Sequence, residues 1–278
     1  MKRLLSIELQ KIFKNKASKV LTISYFVILS FIALLASIEF NIGPVHIQLA
    51  EQGIFNFPFI WHFNTYIAVY FKLFLAVIIV SMMANEYSNG TLKQNLIDGL
   101  SKKEFVLSKF VTIILFATVS VVFIFIVSLI LGLIFSSYNE VSIIFSQLEY
   151  LLAYFLNLVA FFSLCLFVGI LVKRSAFALG FLMIWFIIES IFSSYLNYEV
   201  YRDSDTDKMF TQFLPFESIS NLLIEPFSRL NAVKTIGSKV GVDYIKDYDV
   251  HWQGILIVLV WIFVYIYGSY YILKKRDL

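Results

Sequence analysis

The sequence predicts an all-α integral membrane protein with six transmembrane helices and both termini in the cytoplasm. Three observations support this fold class: the composition, the length of the uncharged segments and the placement of the basic residues. Of 278 residues, 60% are hydrophobic and 15% are charged, whereas soluble proteins are about half apolar and about a quarter charged. This composition excludes a cytosolic enzyme, a disordered regulator and a disulfide-built secreted domain. The net charge of +3 gives no reason to expect nucleic acid as a partner.

Long segments with almost no charge alternate with charged connections. A helix needs about 20 mainly apolar residues to cross the hydrocarbon core of a bilayer. The segments that meet this requirement are Val20–Phe40, Tyr66–Ala84, Phe110–Phe135, Tyr150–Val172, Ser175–Leu196 and Gly254–Leu273.

The basic residues predict the orientation of these helices, because Lys and Arg concentrate in short cytoplasmic connections. They lie before the first segment, in alternate connections after it and behind the last segment: Lys2, Arg3, Lys11, Lys14, Lys16, Lys19, Lys93, Lys102, Lys103, Lys109, Lys173, Arg174, Lys274, Lys275 and Arg276. Residues 197–253 also carry basic side chains, but long connections are exempt from the rule. The alternation places both termini inside and residues 197–253 outside.

Residues 1–19 have the pattern of a basic amphipathic helix. Apolar side chains recur at helical spacing, with polar side chains opposite: Leu5, Leu9, Ile12 and Phe13. This pattern predicts a helix on the cytoplasmic membrane surface. The alternative is a positively charged flank that only sets the topology.

The connection formed by residues 85–104 predicts a short helix on the cytoplasmic side. Thr91 and Gln94 have the spacing of a capping box. Gly99 is placed to end the helix in the left-handed conformation. Ser101 and Glu104 form a second box that begins the third transmembrane helix.

This short helix has an apolar face made of Leu92, Leu96, Ile97 and Leu100. Such a face fits a groove in a soluble partner protein. The alternative is that the face lies on the lipid headgroups.

The outer segment, residues 197–253, is too long for a plain turn and is expected to have its own structure. Pro215 favours a helix start and Pro226 a helix end. An apolar stripe lies between them: Phe216, Ile219, Leu222 and Leu223. We therefore expect a short helix that dips into the outer membrane surface or lies on it.

Lys72 and Glu189 are charges inside predicted transmembrane helices, and such residues are usually functional or paired. Counted from Asn64 and Asn197, both lie about 12 Å below the outer boundary. The hypothesis is that they pair across the second and fifth helices or face one polar cavity. The alternative is that Lys72 extends to the outer surface while Glu189 is protonated against the hydroxyl groups of nearby serines.

No constellation for catalysis is apparent, and we expect no catalytic, cofactor-binding or metal-binding residues in this chain. The histidines, His46, His62 and His251, all fall in predicted outer connections. The sequence contains no H-E-x-x-H, no G-x-S-x-G and no P-loop. This favours a channel, a transporter or a membrane scaffold over an enzyme.

Residues 85–92, Asn-Glu-Tyr-Ser-Asn-Gly-Thr-Leu, followed by Ser101-Lys-Lys-Glu-Phe and Lys109, resemble a motif of ABC-2-type transporter permeases. The similarity is to the bacterial branch in which permease and ATPase are separate polypeptides. It covers the whole chain, 1–278, as one transmembrane domain. The proline that often precedes the Ser-Arg pair in this family is absent, and Gly99-Leu100 stands there instead.

The resemblance implies specific roles for these segments. Residues 1–19 would be the elbow helix and the helix within residues 85–104 the coupling helix, which docks in a groove of the ATPase. The residues implied in coupling are Glu86, Gly90, Thr91, Leu92, Leu96, Ile97 and Leu100. The partners implied are a P-loop ATPase that binds ATP and Mg²⁺, and a second permease copy or paralogue, in a bacterial cytoplasmic membrane.

The function expected from this resemblance is export of an unidentified substrate, driven by ATP hydrolysis in the separate ATPase subunit. The aromatic residues of the transmembrane segments favour an amphipathic substrate. The alternative is a scaffold that transports nothing and belongs to an ATPase-driven mechanical or signalling complex. A polar cavity near Lys72 and Glu189 would favour transport, whereas a dry, close-packed interface between two copies would favour the scaffold.

Overall fold

The computed structural model describes residues 2–37, 39–42, 45–48, 53–138, 140–196, 208–230, 233 and 247–276. In chain order the elements are α1 (Lys2–Lys14), α2 (Lys16–Ser37), β1 (Glu39–Ile42), β2 (Val45–Gln48), α3 (Phe59–Tyr70), α4 (Lys72–Ser88), α5 (Thr91–Ile97), α6 (Lys102–Phe135), α7 (Val141–Ile144), α8 (Glu149–Val172), α9 (Ser175–Tyr195), α10 (Lys208–Thr211), α11 (Pro215–Ser220), a 3-10 helix (Phe227–Arg229) and α12 (Trp252–Lys275).

The fold is a helical membrane bundle. Within the described residues, four helical segments are long and apolar enough to cross a membrane: Lys102–Phe135, Val141–Val172, Ser175–Tyr195 and Trp252–Lys275. Helices α3 and α4 form a fifth candidate, bent by 45°. Helix α2 is 22 residues long, and the side chains of its last turns lie outside the described part of the chain.

Helix α8 forms the centre of the bundle. In the apolar part of the segment Val141–Val172, which contains α8, 78% of the residues are buried inside the bundle. The corresponding share is 17% in α9 and 22% in α12. Helices α3, α4, α6, α9 and α12 all pack against α8. The outer helices therefore direct large apolar side chains such as Ile184, Ile188 and Phe263 away from the protein, as expected where lipid is the solvent.

The second predicted transmembrane segment, Tyr66–Ala84, differs from the structure in its start and its shape. The helix begins earlier, at Phe59, and breaks at Phe71. Asn64 lies within α3 and its amide donates to the Ser128 hydroxyl of α6, at 2.8 Å. Lys72 is therefore the first residue of α4, near the middle of the bent pair, and the depth counted from Asn64 was wrong.

A short antiparallel hairpin lies between α2 and α3. Strands β1 and β2 pair with Glu39 opposite Gln48 and Ile42 opposite Val45. The other described elements are helical, so the described membrane-embedded part agrees with the predicted class. Residues 197–207, 231–232 and 234–246 of the outer segment lie outside the described residues.

Candidate functional site

A cluster of charged side chains is buried where α1, α4 and α6 meet. Lys109 of α6 is 0% exposed and Glu86, near the end of α4, is 3% exposed. The Lys109 ammonium donates to Glu86 Oε1 at 2.6 Å and to Glu8 Oε2 of α1. Because a buried charge is costly unless it is paired and hydrogen-bonded, this lysine needs both carboxylates.

Lys11 of α1 completes the pairing. Its Nζ lies 2.8 Å from Glu86 Oε1 and 3.5 Å from Glu8 Oε1. Burial lowers the pKa of Lys11, but the hydrogen bond to Glu86 and the charges of both carboxylates outweigh it, and the net pKa is raised. Lys11 is therefore charged at neutral pH. We call Glu8, Lys11, Glu86, Lys109 and Thr91, which joins them from α5, the ion-pair cluster.

Thr91 connects α5 to the ion-pair cluster. Its hydroxyl donates to Glu86 Oε2 at 2.5 Å. Both oxygens of the Glu86 carboxylate are thus occupied, Oε1 by two lysines and Oε2 by the threonine. Since α5 begins at Thr91, its first residue is held on a carboxylate that is itself held by α1 and α6.

The turns around α5 follow from local sequence. Gly90 caps α5 with a φ of +67° and Gly99 follows its end with a φ of +97°; glycine adopts both without steric cost. The capping box of Ser101 and Glu104 is present, as predicted. The predicted box of Thr91 and Gln94 is wrong, because the cap is Gly90 and the Thr91 hydroxyl is bound by Glu86.

The predicted apolar face of α5 is divided between the chain's interior and its surface. Leu92 is 2% exposed and belongs to the core. Leu96 and Leu100 are half-buried and pack against the same core. Ile97 is 72% exposed, so it is the member of the face that α5 offers to another molecule.

The structure gives Lys72 and Glu189 separate partners, so the prediction that they pair is wrong. The Lys72 ammonium donates to Asn157 Oδ1 at 2.8 Å and lies 4.5 Å from the centre of the Phe161 ring. Glu189 Oε1 accepts the backbone N–H groups of Phe216 and Glu217, at 2.6 and 2.8 Å. The alternative of a serine partner for Glu189 was also wrong, because the hydrogen bonds described for its carboxylate come from the start of α11.

Both charges hold the same short helix, α11. Glu189 binds its first turn, and the Asn157 amide donates to the carbonyl oxygen of Ile219 at 2.7 Å near its end. We call Lys72, Asn157 and Glu189 the α11 clamp. Pro215 begins α11, as predicted, and the apolar stripe is buried at Phe216, Ile219, Leu222 and Leu223.

Helix α11 packs against α8, α9 and α12, so it dips into the bundle rather than lying on it. The Phe216 ring contacts Phe161 of α8 and Phe186 of α9, with centroids 6.4 and 5.5 Å apart. Pro226, expected to end the helix, instead caps the following 3-10 helix. These contacts fix the position of α11 against α8 and α9.

The buried contacts of three polar residues were not predicted. Glu8 lies among basic residues, three positions before Lys11 and four before the buried Ile12, and that spacing was an available signal. Asn157 has a polar amide within an otherwise apolar segment, and this was the signal available for its contacts with Lys72 and Ile219. His62 was placed in a connection but lies buried in α3, where Nε2 binds the Ile224 carbonyl oxygen at 2.7 Å.

Metal binding has no support in the part of the chain that the structure describes, where no three His, Cys, Asp or Glu side chains are grouped to hold an ion. Cys165 is buried there as a free thiol.

The model of the family described as "Protein of unknown function (DUF2705)" matches residues 29–278. Over 63 residues the chain is also 40% identical to the "Uncharacterized protein YhcI" of Bacillus subtilis (strain 168). That match covers 23% of this chain and 20% of the relative. By the family match, which spans most of its length, this chain belongs to the DUF2705 family.

Proposed function

We propose that this chain is the membrane permease subunit of an ABC-2-type transporter, and that α5 is its coupling helix. The observation that supports this most is the ion-pair cluster, in which the motif residues Glu86, Thr91 and Lys109 meet. With Glu8 and Lys11 of α1, they tie α5 to α1, α4 and α6. A displacement of α5 therefore has a rigid, charged connection to long membrane helices.

In this proposal a separate P-loop ATPase binds ATP and Mg²⁺ and docks on the exposed side of α5. That side consists of Lys93, Gln94 and Ile97. Helix α1 is the elbow helix, α2 is the first of six transmembrane helices, and both termini are cytoplasmic in a bacterial membrane. A second permease copy or a paralogue completes the transporter, which exports an amphipathic substrate.

The second candidate function is a scaffold that converts ATPase cycles into mechanical work or a signal and carries no substrate. It is favoured by the α11 clamp, because Lys72 and Glu189 bind an amide and backbone N–H groups of the chain itself. Within the described residues, these two charges are engaged in holding α11 rather than in forming a charged path for a substrate.

The test uses the tagged full chain purified from its native membrane, with co-purified P-loop ATPases identified by mass spectrometry. We expect one ATPase to co-purify with the wild type and to be lost from Ile97→Asp, because an aspartate would be desolvated in an apolar groove. The matched control is Val141→Asp on α7, where the side chain is 69% exposed and far along the chain from α5. The absence of a P-loop ATPase from the wild type, or its retention on Ile97→Asp, would contradict the proposal.

The two candidate functions differ in how the purified complex responds to amphipathic compounds. A permease is expected to hydrolyse ATP faster when its substrate is present, since substrate and ATPase cycle are linked. Measuring ATP hydrolysis in liposomes against a panel of amphipathic compounds separates the two. A rate that no compound changes, in a complex that hydrolyses ATP, favours the scaffold.

A further inference from the structure

A cavity of about 330 Å³ lies between the α1–α2 corner and the end of α4. This volume is at the lower end of the range of small-molecule sites, about 300–1,000 Å³. Its polar lining includes Lys11, Lys14, Asn85 and Asn89, and its apolar lining includes Ile78 and Met82. The cavity therefore combines amine and amide donors with a hydrophobic wall.

The donors of this cavity are available to a ligand. The ammonium of Lys14 and the side-chain amides of Asn85 and Asn89 make no hydrogen bond or ion pair within the described part of the chain. All three side chains are exposed. Asn85 and Asn89 are four residues apart at the end of α4, so they lie on the same side of it.

Glu86 also lines the cavity, but its charge is balanced. Its Oε1 accepts from Lys11 and Lys109 and its Oε2 accepts from Thr91. With Lys14 unpaired, the surroundings of the cavity are net positive. An anion that accepts several hydrogen bonds is the ligand that this charge and these donors suit.

The apolar side chains indicate what such an anion is attached to. Ile78 and Met82 precede Asn85 on α4 and are buried. The cavity wall that they form is therefore on the side of the apolar middle of the bundle. On α1, Phe13 beside Lys14 is 57% exposed, and Leu5 and Leu9 lie on the same side of the helix. An apolar strip that borders exposed lysines is typical of a helix at the boundary of headgroups and acyl chains.

We propose that this cavity binds the headgroup of an anionic phospholipid. The phosphate lies among Lys14, Asn85 and Asn89, and the first carbons of an acyl chain lie against Ile78 and Met82. Basic pockets between membrane helices suit lipid phosphates. The proposal goes beyond the coupling function and does not depend on it, because it requires only the cavity and its lining.

The test is native mass spectrometry of the purified full chain in detergent, titrated with dioleoyl-phosphatidylglycerol. We expect Lys14→Gln to lower the apparent affinity about fivefold, the effect of one basic residue near an anionic lipid surface. Asn85→Leu combined with Asn89→Leu is expected to lower it further, since two amide donors are lost. The matched control is Lys19→Gln on α2, an exposed lysine that does not line the cavity, for which we expect no change.

Two further ligands distinguish the source of the phosphate. Dioleoyl-phosphatidylcholine has the same acyl chains without net charge, and glycerol 1-phosphate has the phosphate without the chains. Selective retention of phosphatidylglycerol by the wild type supports the proposal. Equal retention of phosphatidylcholine, equal binding of glycerol 1-phosphate, or equal losses for Lys14→Gln and Lys19→Gln would overturn it. Circular dichroism of each variant confirms that it is folded before titration.

Discussion

The ion-pair cluster and the α11 clamp both bury charge, but they satisfy it in different ways. In the cluster, two lysines and two carboxylates from three helices satisfy one another. In the clamp, Lys72 has a neutral amide as its partner. Glu189 Oε1 accepts two backbone N–H groups, while its Oε2 is buried without a hydrogen-bond partner among the described residues. The cluster therefore depends on charge balance, whereas the clamp depends on hydrogen-bond geometry.

This difference determines what each region tolerates. Removing one charge from the cluster leaves another buried and unpaired, which is among the most destabilising changes a protein can undergo. At the clamp, a neutral side chain of the same shape can still accept the two N–H bonds. The following predictions compare the two regions, from the largest expected effect to the smallest.

Lys109→Met is expected to have the largest effect. It leaves Glu8 and Glu86 buried near each other with Lys11 as their remaining cation, and the expected loss of stability is about 3–5 kcal/mol. The measurement is thermal unfolding of the purified chain in micelles. Adding Glu8→Gln to Lys109→Met should restore part of the loss, because it removes one unpaired charge. An unchanged midpoint for Lys109→Met would show that charge balance does not control this region.

Glu189→Leu is expected to cost about 2–3 kcal/mol, because it leaves the buried N–H of Phe216 and the partly buried N–H of Glu217 without an acceptor. Glu189→Gln retains Oε1 as an acceptor and is expected to cost less than about 1 kcal/mol. Hydrogen exchange at Pro215–Ser220 measures whether α11 is released. If Glu189→Gln releases α11 as much as Glu189→Leu does, the charge of Glu189 matters more than its geometry. That result would contradict the statement that the clamp depends on hydrogen-bond geometry.

Gly90→Ala is expected to cost about 1–2 kcal/mol, because the alanine Cβ is strained at a positive φ. No atom lies within 4 Å of the added Cβ, so the cost is one of backbone conformation. Gly180→Ala in α9 is the matched control, with the same open space but without a positive φ. The difference between the thermal unfolding midpoints of the two variants measures the cost of a Cβ in the turn that leads into α5. Equal midpoints for the two variants would contradict this prediction.

Thr91→Val is expected to have the smallest effect, about 1 kcal/mol, because it removes one hydrogen bond from Glu86 while both lysines remain bound. Hydrogen exchange in α5 should increase while exchange in α6 stays unchanged. Thr118→Val is the control, since that hydroxyl bonds only to the backbone of its own helix. Unaltered exchange in α5 would mean that Thr91 does not hold this helix on the cluster.

The parts of the structure that the sequence predicted are those determined by nearby residues. Ser101 and Glu104 begin α6, Gly99 ends α5 and Pro215 begins α11, because each depends on residues within one turn. The apolar segments were long enough for the membrane helices to be recognised by length. The resemblance motif singled out Glu86 and Thr91, but it did not predict the hydrogen bond between them or the ion pair of Glu86 with Lys109.

Contacts between distant parts of the chain could not be predicted in the same way. Glu8 and Lys109 are 101 positions apart, and they meet only because α1 packs against α6. Glu189 was paired with Lys72 because both are charged, whereas in the structure its Oε1 accepts two backbone N–H groups of α11. The break at Phe71 has no proline or glycine beside it, so the usual signal for a kink was absent.

Helix α6 has 34 residues and is about 51 Å long, much longer than the hydrocarbon core of about 30 Å. Lys109 and the capping box lie in its first turns, and Gly132, whose Cα faces the ring of Phe57, lies in its last. No proline interrupts it, so it can tilt as a straight rod. A tilt of about 10° about its midpoint would move each end by about 4 Å in opposite directions. A displacement at the ion-pair cluster would therefore also move the far end of α6, beside α3, without a change in the secondary structure of any helix.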